Sequence, residues 1–190
     1  MANRDTPNGL KPIKHLNGSP WNGSLNRYAI PAADGTATFK GDLVKHYGTN
    51  DVNGIPQVIQ AAAADAVLIG VIVDFEPDPT NLESKYRLAN TLRYCWVCDD
   101  PTVIFEIQED SVGGSIALAD MGKNADVVVG AGDTNTGASG MELDSSDVKA
   151  ATAQLRILRV VQRDDNTPVS ANCRFEVLIN EHSLKMEVGI

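Results

Sequence analysis

The chain has 190 residues, of which 43% are hydrophobic and only 5% aromatic, and 16 Lys and Arg residues against 25 Asp and Glu residues give a net charge of −9. This length suits one domain, with or without an extended arm, and the apolar fraction is sufficient for a packed core. The negative charge excludes a general nucleic-acid binder, which needs clustered Lys and Arg for phosphate contacts, and a polybasic membrane anchor.

Residues 1–26 predict an extended N-terminal arm. The segment is rich in Asn, Gly and Pro, which mark turns, yet it carries four apolar side chains that a disordered tail would lack. We therefore expect the arm to lie either on its own body or on a neighbouring subunit. Its candidate contact residues are Leu10, Ile13, Leu16 and Trp21.

The chain start predicts no secretory signal, because it has no apolar stretch of the signal-peptide kind. The longest apolar run, residues 66–73, is interrupted by Gly70 and falls well short of the roughly 20 residues that a membrane-spanning helix needs. We expect that the protein makes no contact with a membrane. We also expect that it is synthesised in a cytosol.

Residues 27–190 predict a β domain built from short strands with turn residues between them. Residues 67–75 form a nearly continuous β-branched run, which predicts a strand buried on both faces. The cleanest alternation places Cys173, Phe175, Val177 and Ile179 on one face. Further strands are predicted at 27–30, 36–40, 43–47, 88–98, 102–108 and 126–129, and one short helical turn within 111–120.

For two segments, the sequence allows either a helix or a strand. Residues 57–66 contain four alanines, which favour helix, but also Val58 and Ile59, which favour strand. Residues 147–158 could form a helix capped by Ser146 or Asp147. Alternatively, the apolar residues of 155–161 suit a strand that contains a bulge. With nine to eleven strands, the fold class is mostly β, an antiparallel barrel or sandwich with one or two short helical turns.

The pattern of the cysteines predicts that they pack as hydrophobic residues and that they do not bind a metal ion or form a redox pair. Cys95 and Cys98 have the spacing of a metal or redox pair, but they lie on a predicted strand, where residues three apart point to opposite faces. Two such thiols cannot easily share a metal ion or form a disulfide. We expect reduced, half-buried cysteines that pack as small hydrophobic side chains.

No other pattern supplies a reactive centre, so we expect neither an enzyme nor a cofactor. His15, His46 and His182 are far apart in sequence and are expected to be solvated or capping residues. The paired carboxylates at 99–100, 109–110 and 164–165 are typical of solvated turns. No helix is predicted to begin within the glycine-rich segment 130–140, although a phosphate-binding loop requires one. The segment is therefore expected to be a flexible surface loop or a subunit contact.

Several short strings, in this order along nearly the whole chain, resemble the head decoration proteins of tailed bacteriophages. They are residues 20–31 (PWNGSLNRYAIP), 41–44 (GDLV), 69–73 (IGVIV), 105–110 (FEIQED), 122–125 (GKNA), 136–139 (TGAS) and 155–158 (LRIL).

The resemblance implies a β-barrel virion protein that binds the outside of an assembled, expanded capsid. Such proteins commonly form trimers and use an N-terminal arm to pair with capsid strands or with a neighbour. The implied partners are the major capsid protein and further copies of the chain itself, with no nucleic acid and no membrane. The implied location is the capsid exterior.

Two other classes of function remain open. One is a different virion component, namely a head-fibre base, a minor capsid protein or a tail protein. The other is a carbohydrate-binding β module, in which Trp21 and Trp96 would stack on sugars. Trp96 lies on a predicted core strand, so we expect it to be packed inside.

Overall fold

A computed structural model describes residues 2–185, which form twelve short strands and two 3-10 turns. The mostly β fold predicted from the sequence is confirmed. The strands are β1 (Lys11–His15), β2 (Asn26–Ile30), β3 (Leu43–Asn50), β4 (Pro56–Gln60), β5 (Leu68–Phe75), β6 (Arg93–Cys98), β7 (Val103–Gln108), β8 (Asn124–Ala125), β9 (Val127–Gly130), β10 (Gly140–Leu143), β11 (Leu155–Val160) and β12 (Arg174–Ile179). The turns are Leu118–Asp120 and Ser183–Lys185.

Five strands close into a small barrel in the order β2-β4-β3-β5-β6. Neighbours are antiparallel except β2 and β4, which meet in parallel where Ala29 faces Gln57. Because side chains alternate along a strand, every second residue points inward. Tyr28, Ile30 and Cys95 belong to the buried cluster that fills the barrel.

The second layer is a five-stranded antiparallel sheet in the order β1-β7-β12-β11-β8. The alternation predicted for β12 is confirmed, since Phe175 and Val177 are fully buried on one face. They share a core cluster with Leu43, Val71 and Cys98 of the barrel strands. The main core therefore lies between the sheet and the outer wall of the barrel, and a second core fills the barrel.

Strands β9 and β10 form a separate hairpin, paired from Gly130 and Gly140 to Val127 and Leu143. The loop between them lies against the turn before β3. The Lys40 N–H donates to the Gly137 carbonyl at 2.9 Å, and the Ser139 N–H donates to the Lys40 carbonyl at 2.8 Å.

The two segments for which the sequence allowed either helix or strand each contain a strand and a loop. In 57–66, β4 ends at Gln60, and a turn with Ala64 in the left-handed region follows. In 147–158 no helix forms, and β11 has the predicted bulge, between Ile157 and Arg159. The short helical turn predicted within 111–120 is also confirmed.

The strand predicted at 36–40 is wrong. This segment makes only isolated bridges, between Thr38 and Arg87 and between Lys40 and Ala138. The physical reason is the fully buried Arg87, whose guanidinium donates to carbonyls of the loop around it and pairs with the Asp34 carboxylate at 3.0 Å. The carbonyl acceptors are those of Pro31, Asp34, Thr36 and Thr91.

Candidate binding surfaces

The four candidate residues of the arm have different environments. Leu10 is only 1% exposed and belongs to the main core, and its N–H donates to the Gly41 carbonyl at 2.9 Å. Ile13 is half-buried on β1, and Trp21 is half-buried and packs against the main core. Leu16 is 57% exposed. The structure thus places Leu10 and Trp21 in internal packing and leaves Leu16 on the surface.

The arm lies on its own body in the single chain. Strand β1 is the edge strand of the sheet and pairs with β7. The tip before it is held by polar contacts: the Asn3 amide donates to the Thr167 carbonyl at 3.0 Å, the Thr6 N–H donates to Gln108 at 3.1 Å, and Arg174 donates to the Thr6 carbonyl at 2.9 Å. The arm therefore has a polar tip, an anchoring leucine and an integrated strand.

A groove of about 630 Å³ runs between the arm, the turn before β3 and the loop joining β9 to β10. Its walls are largely apolar or small residues, including Pro7, Pro12, Ile72, Val73 and Ala138. Because the arm forms one wall, any movement of residues 6–12 would change the shape of this groove.

The prediction that the cysteines are packing residues is confirmed, although they are fully buried and not half-buried. Cys95 faces the barrel core and Cys98 faces the main core, so the two thiols lie on opposite sides of β6. Both are free and buried, as is Cys173. Burial raises the pKa of Cys95 and of Cys98 to about 12, so both remain neutral thiols at pH 7.

Two of the three histidines, His15 and His182, lie near the same carboxylate: although burial opposes the shift, hydrogen bonds from Thr102 and the charges of these two histidines lower the pKa of Asp100. His15 Nδ1 lies 3.3 Å from Asp100 Oδ2 at the end of β1, and His46 is half-buried on β3. His182 caps the last 3-10 turn, because its Nδ1 accepts the Leu184 N–H at 3.2 Å. It is also 1% exposed, and burial lowers its pKa to about 4.

The prediction of solvated carboxylate pairs is wrong for Asp99 and Glu109, which are both buried. Asp99 accepts hydrogen bonds from the Asn26 amide at 2.9 Å and from the Tyr28 hydroxyl at 2.8 Å. Glu109 accepts the Ile116 N–H at 2.8 Å, and burial raises its pKa. These groups hold neighbouring segments in place, which sequence adjacency alone does not reveal.

A further buried carboxylate, Asp42, ties the barrel to the turn before β3. Its Oδ2 accepts the Phe39 N–H and the Gln60 amide, each at 2.8 Å. Burial raises the pKa of Asp42 to about 6, although hydrogen bonds from Ser139, Phe39 and Gln60 oppose the shift.

Trp96, expected inside, is 36% exposed on the outer wall of the barrel. The expectation is wrong because Cys95 and Val97 face inward, so Tyr94 and Trp96 point outward. Beside them on β2, the Arg27 guanidinium lies 3.9 Å over the Tyr94 ring. Arg27 and Tyr94 were not among the sequence candidates, and residues 94–98 are apolar or aromatic on both faces of the strand, so their pattern does not show which face turns outward.

Between residues 2 and 185, no group of three or more His, Cys, Asp or Glu side chains is arranged to hold a metal ion. Over the same part of the chain, no helix is long and apolar enough to cross a membrane.

Comparisons with known proteins do not assign the chain to a family. No protein-family model matches the chain, and neither the search of curated proteins nor that of solved structures finds a match.

Proposed function

We propose that the protein is a structural component of a tailed-bacteriophage particle that binds the outside of the assembled capsid and bridges neighbouring major capsid subunits. One observation supports the proposal: six of the seven strings that resemble decoration proteins include strand residues, and these strands belong to both layers. The strand residues lie at 26–30 in β2, 43–44 in β3, 69–73 in β5, 105–108 in β7, 124–125 in β8 and 155–158 in β11. The strings therefore lie largely at framework positions of the body.

The proposed mechanism is multivalent attachment. Each contact with a capsid subunit is modest, but a homo-oligomer, trimeric by the resemblance, engages several subunits at once, which converts weak sites into strong attachment. Because the protein binds assembled subunits and not free ones, it stabilises the shell by mass action. A net charge of −9 is compatible with this location, because a protein on the capsid exterior does not contact the packaged DNA.

The test is co-sedimentation of purified protein with expanded, empty heads of the phage that encodes it, prepared without this protein. Saturable binding to heads, and none to unassembled capsid protein, is the expected result. Failure of the wild-type chain to bind heads would refute the proposal.

The contribution of the arm needs milder variants than its full removal. Deleting residues 1–26 would remove β1 and the core residue Leu10, so lost binding could reflect lost folding. Replacing Leu16 by Asp leaves β1 and Leu10 in place, because Leu16 is 57% exposed. If the arm contacts the capsid, this change weakens binding while the unfolding midpoint stays close to that of the wild type.

A further inference from the structure

The arm contains two copies of the tripeptide Asn-Gly-Ser, at residues 17–19 and 22–24, and all six residues are exposed. Asn-Gly is the pair at which asparagine most readily loses its side-chain amide, because glycine has no Cβ to obstruct attack by its backbone nitrogen. The two copies have the same local sequence, so their surroundings in the structure decide which of them reacts first.

The reaction consumes one water molecule and releases ammonia. The glycine nitrogen gives its proton to hydroxide and forms a bond to Cγ of the asparagine. The bond from Cγ to Nδ2 then breaks, and ammonia leaves with a proton taken from water. Water opens the resulting succinimide ring at either carbonyl carbon, which yields aspartate or isoaspartate. Because the attack is intramolecular, its rate depends on whether the glycine nitrogen is free to react.

The hydrogen bonding of the glycine N–H separates the two copies. The Gly18 N–H donates to the His15 carbonyl at 2.9 Å, in the turn that follows β1. Among residues 2–185, the Gly23 N–H has no hydrogen-bond partner. The nitrogen of Gly23 can therefore lose its proton without breaking a bond within the protein, whereas that of Gly18 cannot.

Other features of the two copies do not favour residue 22. The Asn22 Oδ1 accepts the Ser24 N–H at 3.1 Å, which polarises the carbonyl that is attacked. The Asn17 Oδ1 accepts the Ser19 N–H at 3.0 Å and also the Ser19 hydroxyl at 2.8 Å. At neither glycine of these copies would an added Cβ meet an atom within 4 Å. The glycine N–H is therefore the feature that distinguishes them.

The remaining two Asn-Gly pairs of the sequence are protected by the fold. Gly9 is buried, and the Oδ1 atom of Asn8 is enclosed. The Gly54 N–H donates to the Asp51 carbonyl at 3.1 Å, as the Gly18 N–H does to His15.

We infer that Asn22 is a site of spontaneous deamidation in the folded protein, with water as the co-reactant and aspartate and isoaspartate as the products. Trp21 and Leu25, on either side, both pack against the main core. Isoaspartate adds one backbone atom to a loop that is fixed at both ends, and either product adds a negative charge where the arm joins β2. The inference does not depend on the proposed function.

The test follows both copies in the wild-type chain, so no variant has to fold. The folded protein is incubated at mildly alkaline pH and digested with trypsin, and cleavage after Lys14 and Arg27 releases peptide 15–27 with both copies. Fragmentation of this peptide in a mass spectrometer measures the conversion of each asparagine, with an unincubated sample as the baseline. We expect Asn22 to react about fivefold or more faster than Asn17, the factor that corresponds to about 1 kcal/mol for one hydrogen bond.

The control is the same measurement on the chain unfolded in urea, where the Gly18 hydrogen bond is absent. We expect the two rates to agree within about twofold there, because the tripeptides are identical. Equal rates in the folded protein, or faster reaction at Asn17, would overturn the inference. A preference for Asn22 that is as large in urea as in the folded chain would assign it to the flanking residues and would also overturn the inference.

Discussion

Replacement of Leu10 by alanine tests how the arm is held. The side chain is 1% exposed within the main core, and its backbone is fixed by the hydrogen bond to Gly41. Core Leu→Ala changes cost about 2–5 kcal/mol, and the cost is higher where the site cannot collapse into the cavity. Here the backbone is already in close contact, since a Cβ at Gly9 would lie 2.3 Å from the Gly41 carbonyl oxygen. We expect a loss of about 3 kcal/mol or more.

The matched substitution is Leu16→Ala, at a leucine that is 57% exposed six residues further along. We expect a change within about 0.5 kcal/mol. Equilibrium urea unfolding gives both values, and thermal unfolding should show a decrease of roughly 6–12 °C for Leu10→Ala, from about 2–4 °C per kcal/mol for a chain of this size. Equal, small effects of the two substitutions would refute the assignment of residue 10 as the anchor and would favour an arm that leaves the body freely.

Three further predictions concern buried charged or titratable groups. Arg87→Met should destabilise the protein by about 3 kcal/mol or more in urea unfolding, because it removes the buried partner of Asp34 and of four carbonyls; an effect below about 1 kcal/mol would contradict this role. The pKa of Asp42, about 6, lies above its value in the unfolded chain, so the buried charge is unfavourable above pH 6 and is relieved as the pH falls toward 4. Asp42→Asn should therefore be more stable than the wild type at pH 7, and the difference should shrink by pH 4.5. His182 has the opposite sign: its pKa of about 4 lies below that of an unfolded histidine, so its contribution is complete above about pH 6.5 and is lost as the pH falls toward 4. The urea midpoint of His182→Gln should depend less on pH than that of the wild type in this window, and an unchanged slope would contradict the burial of a neutral imidazole.

The predictions that the structure confirms depend on local patterns in the sequence. Alternation along residues 173–179 and the β-branched run at 67–75 follow from the period-two geometry of a strand, which is visible in the sequence. The bulge in β11 is likewise local, because the apolar positions of 155–161 change parity.

The features that could not be predicted from the sequence depend on contacts between segments that are distant along the chain. Whether Leu10 or Leu16 enters the core is decided by where β1 meets β7 and by the approach of Gly41, about 30 residues away in sequence. The exposure of Trp96 follows from which face of β6 turns into the barrel, and the strand itself is apolar on both sides. The burial of Arg87 depends on a loop that wraps around it, whose carbonyls carry no sequence signal.

The body has two cores, and its arm is held against the sheet by the core residue Leu10. The tip at residues 2–8 is held by part-buried hydrogen bonds, including those between Thr6 and the side chains of Gln108 and Arg174.

Cryo-electron microscopy of the intact phage particle tests the central claim most directly. We expect density for this two-layer body on the outer surface of the head, in contact with more than one capsid subunit. A head whose outer surface lacks such density, or density for the chain found only in the tail, would contradict the account.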